Sequence, residues 1–136
     1  MVRLLKIRGR LSDHDIFNCN RYFMTAYRKW LGILNELKKE NVQLKDWLSE
    51  SISGQVPVDF VEHAEMFQQQ FVEKDQIIDL LRRDIAVLLE EVSIHGMRQV
   101  NKKQYLNLEK AIMRLQIEFQ KMKLSFLNFL NHKRAS

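Results

Sequence analysis

The chain has 136 residues, with 22 Lys+Arg against 17 Asp+Glu, 46% apolar residues, four Gly, one Pro and one Cys. That length suits one domain, and so few helix breakers among so many apolar residues exclude turn-rich sheet, disordered and collagen-like classes. The lone Cys19 can form no intramolecular disulfide and no cysteine pair exists for a zinc knuckle, which excludes a disulfide-stapled secreted scaffold and favours a reducing compartment.

The N-terminus, MVRLLKIRGRLSD, offers only short apolar steps between its basic residues, so no export signal is read there. No stretch approaches the roughly 18 apolar residues a membrane span needs, the nearest being LSFLNFL at 124–130. A soluble cytoplasmic protein is expected. Residues 1–11 form a basic N-terminal arm, and 12–136 form a single helical-bundle domain.

Three sets of punctuation divide that domain. Ser12, with Asp15 three residues on, resembles a capping box and starts a first helix near Asp13. In ESISGQVPVDF, Gly54 suits a left-handed C-terminal cap, while Pro57 and Asp59 suit the first turn of a second helix starting near Pro57. Gly96 is the next C-cap candidate. Asn101 with Gln104 then repeats the box, Val100 and Tyr105 are placed as a hydrophobic staple, and a third helix is predicted from about Lys102.

Between these marks apolar residues recur in steps of three and four, which keeps one stripe along a helix. The first helix carries it from Phe23 through Trp30, Leu34, Leu37 and Leu44 to Leu48; the second from Phe60 through Phe71, Ile78 and Ile85 to Val92; the third from Tyr105 through Ile112, Leu115 and Phe119 to Phe129. The predicted fold is therefore all-α, an antiparallel bundle of three long helices with coiled-coil-like packing. A break near Asn41 would instead make four helices. Matching the stripes predicts layers that place Leu48 near Phe60, Leu37 near Phe71, Trp30 near Ile78 and Phe119, and Phe23 near Ile85 and Ile112. Asn41 and Lys74 interrupt the seam. The simplest reading puts Asn41 at its edge and extends Lys74 to solvent, and the sharper one makes them a register or partner device.

Charge is unevenly distributed. Residues 1–10 carry four basic and no acidic residues, net +4, and 11–60 six and seven, net −1. Residues 61–95 carry three basic and eight acidic, net −5, and 96–136 nine and two, net +7. An acidic second helix beside a basic third one is expected to match flanks.

The third helix also has a second apolar face. At about 100° per residue, Leu106, Met113, Ile117 and Leu124 fall nearly opposite its main seam. Met66, Leu80, Val87 and Ile94 repeat this more weakly on the second helix, with Glu73 interrupting, and Phe17, Met24, Leu31 and Val42 flank the first. A solitary bundle would leave such stripes exposed, which marks an interface. The expected contact residues are Leu106, Met113, Ile117, Leu124, Leu80 and Val87, and the expected partner is the protein itself or another helical protein.

Catalytic and metal chemistry find little support. A di-iron bundle needs Glu-x-x-His on two helices, and this chain has none. His14, His63, His95 and His132 lie at or near helix ends, Glu91 with His95 is a helical i, i+4 carboxylate–imidazole pair, and His95 is explained as a charge complement to a helix C-terminus. No phosphate loop, nucleophile elbow or His-Glu-x-x-His occurs, Cys19 has no local activator, and the paired Asp13, Asp15, Asp75, Asp79 and Asp84 read as a solvated face. We expect no enzyme, no cofactor, no metal and no small-molecule substrate. The alternative function is non-specific binding of nucleic acid or an anionic membrane surface through Arg3, Lys6, Arg8 and Arg10 with Lys121, Lys123, Lys133 and Arg134.

Overall fold

The computed structural model describes residues 13–135, with side chains described over 21–98 and 101–132. Ser12 and the arm residues Arg3, Lys6, Arg8 and Arg10 lie outside the described residues, as do the side chains of His14, Asp15, Phe17, Cys19, Val100, Lys133 and Arg134. Three helices follow in order: α1 Asp13–Ser51, α2 Val58–His95 and α3 Gln99–Ala135. At 39, 38 and 37 residues they are nearly equal in length. Rods of nearly 60 Å joined by short links can overlap along their whole length, giving an all-α three-helix bundle in which each pair of helices packs.

Elementary backbone chemistry sets the helix ends. Pro57, at φ −61°, precedes α2, where its missing N–H costs nothing; its carbonyl accepts the Val61 amide at 3.1 Å. Gly96 closes α2 at φ +74°, donating its amide to the Val92 carbonyl at 2.8 Å. Gly54, also at positive φ, stands past the end of α1 in the turn rather than against the last helical residue. The third helix starts earlier than its cap signal implies. With only 96–98 between the helices, Asn101 falls inside the first turn of α3, and its Oδ1 accepts the Arg98 amide at 3.3 Å while its Nδ2 donates to Gln104 Oε1 at 3.1 Å. Asn101 thus reaches back from the first turn to the amide of Arg98, the residue just before the helix, rather than capping from outside.

The main stripes form the core. Phe23, Trp30, Leu34, Phe71, Ile78, Ile85, Ile112, Phe119 and Phe126 are essentially fully buried. At one end Phe71 meets Phe126 edge to face, with centroids 5.0 Å apart, and Phe60 stacks on Phe129 at 4.5 Å. The Phe71–Phe126 contact continues the expected Ile78–Phe119 layering of α2 against α3 by one heptad. The first helix sits in a different register. Asn41, a turn beyond Leu37, is the residue that reaches Phe71. Phe23 meets Tyr105 at 6.5 Å, about two turns along α3 from Ile112. A repeating apolar stripe satisfies burial equally well after a slide of whole turns, so polar contacts choose the register.

Those polar contacts come from the seam itself. Asn41 is wholly buried, not at an edge, and α1 passes through it unbroken, which excludes the four-helix alternative. Its Nδ2 donates at 2.8 Å to the Phe71 carbonyl and at 2.8 Å to Asp75 Oδ1. Asp75 also binds Lys45 and, at 3.3 Å, Lys38, so it belongs to a half-buried cluster and not to a solvated acidic face. Burial pushes the Asp75 carboxyl up, but hydrogen bonds from Lys45, Asn41 and Lys38 outweigh that push and hold it below its ordinary value. Arg82 donates to Asn35 on the same flank. Lys123 of α3 pairs with Glu40 of α1. The acidic helix therefore spends its inward flank on lysines of α1, where the sequence pointed to α3.

Candidate functional site

A surface of half-exposed apolar residues remains once the core is complete. Leu106, Met113, Ile117 and Leu124 are 55%, 56%, 57% and 53% exposed. Each stands one or two residues from a buried one, Leu108, Ile112, Leu115, Phe119 or Met122, which turns it about 100–200° away around the helix, so the two sets share no stripe. The ridge runs over about 27 Å of helix and presents on the order of a few hundred Å² of apolar surface. On α2, Leu80 and Val87 are 50% and 58% exposed, and Met66 and Ile94 are exposed as well.

The expected flanking stripe on α1 fares differently. Met24 and Leu31 pack against the core, and Val42 is exposed. Each of the first two is the neighbour in sequence of a fully buried residue, Phe23 or Trp30. Tyr22, Trp47, Ile52 and Val58 are exposed too, but they follow no common spacing.

Beside Val87 the surface dips. A groove of about 350 Å³ runs between α2 and α3, with buried Leu81, Leu88 and Leu108 at its base and exposed Asp84, Val87 and Asn107 at its rim. Its shape follows from Ala111, whose methyl leaves room where a larger side chain would fill the space. Sequence reasoning missed this groove because it depends on the α2/α3 register, although Asp84, Val87 and Gln104 were each singled out on other grounds.

Charges frame the ridge in a regular way. Lys103, Lys110, Arg114 and Lys121 each stand three residues before a ridge residue, all four are exposed, and none makes an ion pair among the described residues. Of the cations expected to meet polyanions, Lys121 is free in this way, while Lys123 is engaged by Glu40.

The groups that could do chemistry are dispersed. His63 donates Nδ1–H to the Asp59 carbonyl at 2.9 Å, and the His132 ring bonds the Asn128 carbonyl at 2.8 Å. Glu91 is paired with Arg98 at 3.7 Å rather than joined with His95. Among the described residues no three His, Cys, Asp or Glu side chains gather to hold a metal ion, and no helix is long and apolar enough to cross a membrane. Burial raises the Tyr105 phenol above its ordinary value, with Glu109 and Tyr22 adding to the shift, yet the ring serves the core, tilted against Trp30 and Phe23.

No protein-family model, curated protein or solved structure matches this chain.

Proposed function

We propose that the protein is a non-enzymatic helical interaction protein of the cytoplasm that works by docking helix faces, and that it associates with itself. One observation carries this reading: Leu106, Met113, Ile117 and Leu124 stay more than half exposed although the three helices have already closed a full core. Desolvating such an aligned ridge is favourable at about 25 cal/mol per Å² of apolar surface before association costs, and a partner helix supplies the cover. The single cysteine suits a reducing compartment.

Replacing Met113 and Ile117 together by Glu tests it by light scattering in 0.5 M NaCl. The expected result is a folded particle of 16.3 kDa where the wild type is heavier. An unchanged mass would dispose of the ridge as the contact.

A second reading rests on the free cations of α3. Lys103, Lys110, Arg114 and Lys121 form a column that could follow a phosphate backbone without sequence preference. Binding of that kind weakens steeply with salt, whereas apolar docking persists.

A further inference from the structure

We infer that the surface receiving the α3 ridge is the exposed stripe of α2 on a second copy of this chain. This rests on the docking role of α3 proposed above and adds its counterpart.

Charge first removes the simplest alternative, ridge on ridge. Each ridge carries Lys103, Lys110, Arg114 and Lys121 one turn to its side, all exposed and without ion pairs among the described residues. Two such helices face to face would bring eight cations along one seam. Residues 96–136 hold two acids in each copy, Glu109 and Glu118, so four across the pair stand against those eight. Like charges opposed across an interface are a strong bar to that pairing.

The complementary surface is on the same molecule. Leu80, Val87 and Ile94 recur every seven residues and are each at least half exposed. Asp84 and Glu90 stand three residues either side of Val87, Glu73 lies seven before Leu80, and none of the three has an ion-pair partner among the described residues. Arg83, four residues before Val87, is an opposing cation on the same stretch of α2. The ridge repeats in the same units, since Leu106 and Met113, and Ile117 and Leu124, are each seven apart. Equal heptad spacing lets two helices stay in contact over several turns.

Relief favours α2 as well. The groove beside Val87 has an apolar base and Asp84 at its rim, a seat for the unbranched side chain of Met113 with a cation beside it. The exposed apolar residues of α1, Tyr22, Val42 and Trp47, share no heptad spacing. Area points the same way. One ridge falls short of the roughly 800 Å² that each partner gives a stable complex, so an assembly that uses both stripes of every copy meets that demand better than one that uses a single stripe.

A mixing experiment on the full chain decides it. One variant loses the ridge (Met113→Glu, Ile117→Glu) and the other loses the receiving stripe (Leu80→Glu, Val87→Glu), both at exposed positions and both checked for helix content by circular dichroism. Each alone is expected at the mass of one chain, and a 1:1 mixture is expected to form a two-chain species, at higher concentration than the wild type needs, because each variant keeps the surface the other lacks and one of the two ridge–stripe contacts is restored. If the Leu80→Glu, Val87→Glu protein keeps the wild-type mass, or the mixture stays monomeric, the α2 assignment is overturned. If the ridge variant itself keeps the wild-type mass, the docking role of α3 fails first. A second pair guards against an uninformative fold defect. Lys110→Glu with Arg114→Glu should weaken association at least about tenfold, and mixing with Asp84→Lys, Glu90→Lys protein should restore it. No restoration would count against the pairing, as would nucleic acid co-purifying with the wild type and released by salt together with the higher mass.

Discussion

The Asn41 amide donates to the Phe71 carbonyl across the α1/α2 seam at 2.8 Å, and the same nitrogen reaches Asp75 at 2.8 Å. This fully buried amide favours one register, because sliding α1 by one turn would take it away from Asp75. Asn41→Ala is expected to cost about 2–3 kcal/mol, from the lost bonds together with the void, read as the urea midpoint at unchanged m-value. Asn41→Leu should retain or regain stability while allowing other registers. A single set of amide resonances in that variant would argue against the register role.

The acid limb of the stability curve should carry the signature of Asp75. Its carboxyl is held below the ordinary value of 3.8 by Lys45, Asn41 and Lys38. On acidification the unfolded chain takes up this proton first, so the contribution is present above the ordinary value and lost as pH falls through the lower folded one. Urea midpoints between pH 2 and 6 should fall more shallowly for Asp75→Asn than for the wild type. Parallel curves would show that the cluster does not act in this way.

Two glycine replacements should have opposite signs. Gly32 lies within α1 with open space around a would-be Cβ, so Gly32→Ala is expected to stabilise by about 0.8–1 kcal/mol. Gly54 has equally open surroundings but φ +83°, and Gly54→Ala should destabilise by about 1 kcal/mol through backbone conformation alone. Thermal or urea unfolding of the two variants checks both.

At the aromatic end of the core, Phe71 and Phe126 are both completely buried and meet at 89°. Phe126→Ala should cost about 3–5 kcal/mol, and Phe126→Leu distinctly less, since it keeps most of the volume. A loss below about 1 kcal/mol for the alanine variant would mean that this end is loosely packed.

Helix spans and the core stripes were legible because a period of three and four residues is a local property, as Leu34, Ile78 and Leu115 illustrate. Met97, buried in the link before α3, lay outside any stripe and gave no periodic signal. Register was not legible from apolar spacing, yet Lys38, Asn41 and Lys45 stand three and four residues apart on one face of α1, opposite an acidic helix. Read as a set, they point to the cluster around Asp75. The ridge of α3 could be read in advance because exposure opposite a seam follows from the same periodicity. The groove at Val87 could not, since it needs Leu108 and Ala111 brought alongside by tertiary packing.

Sedimentation equilibrium of the wild-type chain in 0.5 M NaCl, over a range of concentrations, tests the central claim most directly. Apolar docking of α3 predicts a mass that rises with concentration above 16.3 kDa and survives the salt. A mass of 16.3 kDa at every concentration would contradict it.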